Sequence, residues 1–144
     1  MTVNEQIDAY IGSQPGPKRG ELQKLHGLFL SILPKGRLWF LDGKNEDGKV
    51  VSNPNIGYGL QVTTLAGGKT REFYQIGLSA NTTGISVYLL GLKDQNYLAD
   101  TFGKSLAKAS VTGYCIKFRS IADIRFDVLE AAVRDATKQT GGDL

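Results

Sequence analysis

The sequence predicts an α+β domain in which helices cover one face of a single antiparallel sheet. Two observations support this fold class. Apolar residues recur at helical spacing near both ends of the chain, whereas the middle alternates apolar and polar residues as strands do. The segments of the middle are separated by short turns rich in Gly, Asn and Asp, which favours antiparallel neighbours because parallel strands need a long crossover.

Composition and charge limit the classes to which this protein can belong. The 144 residues, of which 41% are hydrophobic and 22% charged, fit one domain over residues 1–144 with a core of useful size. The 17 Lys and Arg against 14 Asp and Glu give a net charge of +3. This charge slightly favours anionic partners but falls short of the dense basic surface that is typical of nucleic-acid binders.

Cysteine usage and the N-terminus indicate the compartment. A single cysteine cannot form an internal disulfide, and the segment MTVNEQIDAYIG lacks the apolar run of a signal peptide. The longest apolar stretches are too short to span a bilayer. We therefore expect a cytoplasmic protein without a membrane segment.

Two helices are predicted before residue 34. Thr2 and Glu5 fit a capping box at the start of the first. Its apolar positions are Val3, Ile7, Tyr10 and Ile11. The second helix runs from about Lys18 to Leu33, with its apolar stripe at Leu22, Leu25, Phe29, Ile32 and Leu33. Pro15 and Pro17 separate the two helices because proline cannot continue a helical ladder.

The middle of the chain is predicted as strands joined by tight turns. Alternation marks a strand around Leu38 and Phe40, and Asn45-Glu46-Asp47-Gly48 is typical of a hairpin turn. The next strand is predicted to place Tyr58, Leu60 and Val62 on one face. After a turn at Gly67-Gly68, the run REFYQIGLS is predicted as one strand with Tyr74, Ile76 and Leu78 on one side. A polar turn over residues 80–84 leads to another strand, ISVYLLG.

The last third predicts a mixture of helix and strand. A helix is expected from Asp94 through Phe102, followed by a further helical turn over 104–110, a strand over 113–119 and a single turn from Ser120 to Ile124. Asp127 and Glu130 fit a second capping box at the start of the closing helix. The buried stripe of that helix is Val128, Leu129, Ala132, Val133 and Ala136. The tail over residues 138–144 is predicted to fray.

The motifs that would indicate enzymes or metal sites are incomplete. Gly67-Gly68-Lys69-Thr70 lacks the upstream glycine and the following helix of a phosphate loop, so we interpret it as a hairpin. The acidic loop 42–48 places Lys44 where a calcium loop needs an oxygen ligand. His26, the only histidine, borders an apolar stripe and is interpreted as a histidine at the edge of the core. We predict no catalytic residues, metal or cofactor, and we do not expect an enzyme.

A candidate binding surface follows from the register of the strand at 113–119. Alternation turns Tyr114, Ile116 and Phe118 towards the helices and Cys115, Lys117 and Arg119 towards the opposite side. Gly77 and Ser79 are expected beside them on the same uncovered face. The leading hypothesis is a non-enzymatic binding module that contacts a small anion or an acidic protein partner there. Nucleic acid is not expected, because most aromatic residues fall on predicted core faces.

Cys115 also raises an alternative. Nearby cations lower the pKa of a thiol and favour the nucleophilic thiolate, which would suit a redox sensor or a thiol enzyme. The competing interpretation is that Cys115 is a small packing residue, as a lone cysteine in a strand usually is.

Three segments of the chain resemble a known family. The runs SVTGYCIKFRSIADIRFDVLEAAVRDA, SNPNIGYG and KTREFYQIGLSANTTGISVY resemble the YdhG-like family, a bacterial domain of unknown function. The resemblance implies a frataxin-like sandwich over nearly the whole chain and, from one branch, an iron-binding chaperone as an alternative function. Frataxins bind iron through an acidic ridge, whereas the first helix here offers only Glu5 and Asp8.

Overall fold

The computed structural model describes residues 1–141 and has the predicted α+β architecture. The helices are α1 (Val3–Gly12), α2 (Gly16–Ile32), α3 (Tyr97–Phe102) and α4 (Phe126–Gly141). The strands are β1 (Leu38–Leu41), β2 (Asn55–Tyr58), β3 (Gln61–Thr64), β4 (Thr70–Phe73), β5 (Ile76–Asn81), β6 (Gly84–Leu89), β7 (Ser110–Val111) and β8 (Cys115–Phe118). Residues 142–144, which belong to the tail that was predicted to fray, lie outside the described residues.

Six of the strands form one antiparallel sheet in the order β1-β2-β5-β6-β8-β7. The other two, β3 and β4, form a separate two-stranded hairpin. Gly67 and Gly68 both have φ near +80° at the tip of that hairpin, as the prediction of a turn requires. The predicted sheet is therefore present, and a small second sheet accompanies it.

The core lies between the helices and one face of the six-stranded sheet. Each strand alternates, so that one set of side chains enters the core and the other set points away from the helices. The core side chains include Ile7, Leu22, Leu25, Phe29, Leu129 and Val133 from the helices and Ile56, Ile76, Leu78, Val87 and Ile116 from the strands. Helices thus cover one face of the sheet, as predicted.

Two predicted strands are each broken by a sharp corner. Gly59 has φ +83°, so the chain leaves the large sheet after Tyr58, and Tyr58, Leu60 and Val62 do not share one strand face. The run REFYQIGLS is divided at Tyr74-Gln75 into β4 and β5. The prediction that Tyr74 shares a face with Ile76 and Leu78 was wrong, because this corner turns its ring to the opposite side of the sheet.

The helix boundaries confirm some predictions and correct others. In α1, Thr2 Oγ1 accepts a hydrogen bond from Glu5 N and Glu5 Oε1 accepts one from Thr2 N, both at 3.1 Å, so the first capping box is present. The second is not. Asp127 lies inside the first turn of α4, where its carboxylate pairs with Arg125 at 3.2 Å, and Glu130 pairs with Arg134 at 2.8 Å.

Two further segments differ from their predictions. The helical turn predicted over 104–110 ends early: Leu106 N donates to Phe102 O at 3.1 Å, but Ala107 has φ +72°, which a right-handed helix cannot accommodate, and β7 begins at Ser110. Residues 138–141 continue α4, where fraying was predicted. The side chain of Gln75 explains the second difference, because its Nε2 donates to Thr137 O and Thr140 Oγ1, both at 3.1 Å.

Candidate functional site

The side of the six-stranded sheet that no helix covers, here called the open face, is organised in cross-strand rows. The pairings Trp39 with Gly57, Gly57 with Gly77, Gly77 with Tyr88 and Tyr88 with Cys115 form one row across five strands. The ring of Tyr74 lies over its two glycines, with ideal Cβ positions at Gly57 and Gly77 only 2.6 and 2.7 Å from ring carbons. The ring of Tyr74 therefore covers Gly77, which is not available to a ligand.

A second row of the open face is polar. Ser79 pairs with Ser86, Ser86 with Lys117, and Lys117 with Ser110 on the edge strand β7. Ser79 is 2% exposed, and its Oγ donates to Pro54 O at 2.7 Å. Ser79 thus has its own partner inside the protein, and the residues of this row that reach solvent are Lys117 and Ser110.

Cys115 lies on the predicted side of β8 but is only 3% exposed. Burial raises the pKa of its thiol, and this effect outweighs the charge of Lys117 and a hydrogen bond with Ser86, which lower it. A buried thiol with a raised pKa is mostly protonated at neutral pH. The geometry favours the packing interpretation of Cys115.

Tyr114 does not face the helices, contrary to the prediction from strand alternation. It precedes β8, is 56% exposed and stacks on Tyr88 of the open face, with ring centroids 6.1 Å apart and planes at 24°. The alternation holds for Ile116 and Phe118, which are buried in the core. It does not extend to residue 114 because the regular strand begins only at Cys115.

Three cations converge where the β5–β6 turn meets the end of β8. Lys108, Lys117 and Arg119 line one depression of about 300 Å³, together with Asn81, Thr83 and Ser110. We call this the basic depression. No carboxylate lines it, and Lys18 Nζ donates to Asn81 O at 2.6 Å at its rim. A cluster of positive charge without acidic neighbours attracts anions.

The basic depression unites only part of the set of residues predicted from the sequence. Lys117 and Arg119 line it, whereas Cys115, Gly77 and Ser79 do not. Three further residues of its lining, Lys108, Thr83 and Ser110, were not predicted from the sequence. Alternation could reveal Lys117 and Arg119 because they are two residues apart in one strand. The other three residues come from a turn and from a strand of two residues, which carry too little periodicity to be predicted.

Aromatic side chains also gather on the open face, although most of the aromatic residues pack in or against the core, as expected from the sequence. Phe73 packs on Tyr74 with centroids 4.2 Å apart and meets Trp39 edge-on at 5.7 Å. The guanidinium groups of Arg37 and Arg71 lie 4.0 and 4.9 Å from the rings of Trp39 and Phe73. Cation–π contacts of this kind hold arginine side chains against the face of the sheet.

Other polar groups are accounted for by the fold. His26 Nδ1 is 2.6 Å from the hydroxyl of Tyr58 at the edge of the core, in agreement with its interpretation as a core-edge histidine. A depression of about 520 Å³ beside Gln75 is lined by Lys35, Gly36, Arg37 and the end of α4. Within residues 1–141, no group of three or more His, Cys, Asp or Glu side chains is arranged to hold a metal ion.

Comparison with known proteins found no matching family model, no matching curated protein and no matching solved structure. The resemblance to the YdhG-like family, the frataxin-like detail of the fold and the iron-related function that they imply therefore remain predictions. In the part of the chain that the structure describes, no helix combines the length and apolarity needed to cross a membrane.

Proposed function

We propose that this chain is a binding module that holds a small anion or an acidic partner in the basic depression. The observation that carries the proposal is the convergence of Lys108, Lys117 and Arg119 on one concave surface without a carboxylate. The hydroxyl groups of Thr83 and Ser110 add hydrogen-bond partners at its wall. Cytoplasmic localisation belongs to the same proposal.

The electrostatics of the sheet support this site. The strands β1, β2, β5, β6, β7 and β8, all described in full, contain no Asp or Glu. None of the three cations forms an ion pair with any carboxylate of residues 1–141. Their charges are therefore not neutralised inside the protein and remain available to a ligand.

The chemistry of the cations suits oxyanions. A guanidinium presents paired N–H donors that match a carboxylate or phosphate, and an ammonium adds a compact charge with three donors. Lys117 and Arg119 approach the depression from one strand, whereas Lys108 approaches from the segment before β7. An anion seated between them would contact donors from two sides.

The thiol and iron alternatives have less support. The thiol of Cys115 is buried and has a raised pKa, as described above. For iron, the described residues offer no cluster of three potential ligands from which a site could be argued.

Replacing two of the cations tests the proposal. We expect Lys117→Ser with Arg119→Ser to weaken the binding of inorganic phosphate and of a poly-glutamate peptide by about tenfold or more, since charged hydrogen bonds contribute about 1.5–3 kcal/mol each. The measurement is a titration followed by NMR. In the original protein, the amide resonances of residues 81–86 and 108–119 should shift when either probe is added. Binding should weaken further as salt is added.

The matched control is Lys44→Ser with Lys49→Ser, which removes the same charge from the exposed loop beside β1, at the other edge of the sheet. This control variant should bind both probes like the original protein. The proposal is wrong if the two double variants lose affinity equally, or if neither probe moves the resonances around the basic depression.

A further inference from the structure

We infer that the anion of the basic depression is the phosphate of a nucleotide, whose base stacks on Tyr114. This inference rests on the proposed function and deepens it. It is drawn from the exposed Tyr88–Tyr114 stack, from the positions of Lys117 in β8 and Arg119 directly after it, and from the linings of the two depressions, which contain no Asp or Glu.

The exposed ring of Tyr114 forms an aromatic platform, a surface on which another ring can stack. Tyr114 is held in place by stacking on Tyr88, yet more than half of its surface is exposed. A large exposed aromatic ring that is already ordered can stack on another ring at little cost in side-chain entropy. Bases offer such a π-face whatever their identity, and each base–aromatic stack contributes substantially to binding.

A depression lies beside the ring of Tyr114. Tyr114 lines this depression of about 430 Å³ with Leu90, Leu92, Gln95 and Thr112. The leucines provide an apolar wall, and the amide of Gln95 and the hydroxyl of Thr112 can hydrogen-bond to the polar edge of a base. A ligand that offers only acidic groups would not contact these apolar and hydrogen-bonding side chains.

The spacing between the platform and the cations allows one ligand to contact both. Tyr88 pairs with Cys115 and Ser86 pairs with Lys117, so Lys117 lies two residues beyond the Tyr88 row on the same face. Lys117 follows Tyr114 by three positions, about 10 Å along an extended chain. A ligand with an aromatic ring at one end and phosphate at the other can therefore contact both groups.

The expectation that nucleic acid is not a partner assumed that aromatic side chains face the core, and Tyr88 and Tyr114 do not. A free nucleotide and a single strand share the chemistry inferred here. The absence of Asp and Glu from the surrounding strands and from the lining of the basic depression suits both, because both carry phosphate.

The experiment compares AMP with ribose 5-phosphate by isothermal titration calorimetry. We expect AMP to bind about tenfold more tightly, because only AMP carries the base. Tyr114→Ser should remove this preference, whereas Tyr114→Phe, which keeps the stacking ring, should retain it. A third arm uses a ten-residue oligothymidylate: tighter binding than AMP identifies a single strand as the ligand, and weaker or equal binding identifies a free nucleotide.

The outcomes separate this inference from the proposed function. Equal affinity for AMP and ribose 5-phosphate, both sensitive to Lys117→Ser with Arg119→Ser, overturns the nucleotide and leaves anion binding in place. No binding of either compound overturns the nucleotide, whereas the proposed function is then decided by the titrations with inorganic phosphate and poly-glutamate. Sedimentation that shows a dimer of the original protein and a monomer of Tyr114→Ser also overturns the inference, because the occupant of the platform is then a second copy of the chain.

Discussion

At the scale of single residues, the burial of His26 beside Tyr58 makes stability depend on pH. The Tyr58 hydroxyl is buried and lies 2.6 Å from His26 Nδ1, and burial raises the tyrosine pKa far above its usual value. Burial lowers the pKa of His26, and this effect exceeds the opposing charge of Asp8. Protonating His26 therefore costs more in the folded protein than in the unfolded chain.

The direction of the pH effect follows from this difference. The unfolded chain binds the proton more readily, so the stabilising contribution is complete above a pH of about 6.5 and is lost as the pH falls through the lower folded pKa. We expect His26→Gln to lose less thermal stability than the original protein between pH values of about 7.5 and about 5. Differential scanning calorimetry at both pH values measures this, and an identical pH-dependent drop in Tm for both proteins would contradict it.

At the scale of elements, paired glycines let an aromatic ring lie flat on the open face. Gly57 of β2 and Gly77 of β5 are direct cross-strand partners, and the Tyr74 ring covers both. Trp39 and Phe73 then pack around that ring and connect the base of the β3–β4 hairpin to the large sheet. Because the two glycines have no side chains, the Tyr74 ring can pack over them and help to join the two sheets.

Adding one methyl group tests this packing. We expect Gly77→Ala to destabilise the protein by about 1–3 kcal/mol, because its Cβ would lie 2.7 Å from Tyr74 Cε1 and the ring would have to move. Gly20→Ala in α2 is the matched control: nothing lies within 4 Å of its added Cβ, so it should stabilise by about 0.4–1 kcal/mol. Urea unfolding of both variants checks the opposite signs. A Gly77→Ala variant that is as stable as the original protein, or more stable, would disprove the role of the ring.

At the scale of the whole molecule, the buried side chain of Gln75 connects three distant parts of the chain. Its Oε1 accepts from Leu60 N at 3.2 Å, and its Nε2 donates to Thr137 O and Thr140 Oγ1. Its backbone also accepts from Leu90 N at 3.0 Å. The side-chain amide of Gln75 therefore joins the corner after β2 to the last turn of α4, and its backbone carbonyl adds the end of β6.

Removing the amide should loosen this junction. We expect Gln75→Leu to lower the free energy of unfolding by about 1–3 kcal/mol, because buried groups that bonded to the amide lose their partner. Hydrogen exchange of amides in the last turn of α4 should rise at the same time. Gln139→Leu, on the exposed side of the same helix, should change stability by less than about 0.5 kcal/mol. Equal losses of unfolding free energy in both variants would show that the buried Gln75 amide contributes no more to stability than an exposed glutamine.

The same residues show how far sequence reasoning reaches. The α1 capping box, the stripe of α2 and the core face of β8 were predictable because each depends on neighbours within a few positions. The break at Tyr74-Gln75 was not, since the partners of Gln75 lie 62 and 65 residues away. In the candidate site, Lys117 and Arg119 could be found by alternation, whereas Lys108 meets them only through the fold.

The sequence by itself determined the layers of this protein: which segments become helix or strand, and which face of each is apolar. Those properties arise from local spacing and from the hydrophobic effect, which acts on side-chain type. Only the tertiary structure decided where strands end, that Tyr114 lies on the open face, and which cations share a depression. These features depend on pairing between distant segments, and a pattern of neighbouring residues carries no information about such pairing.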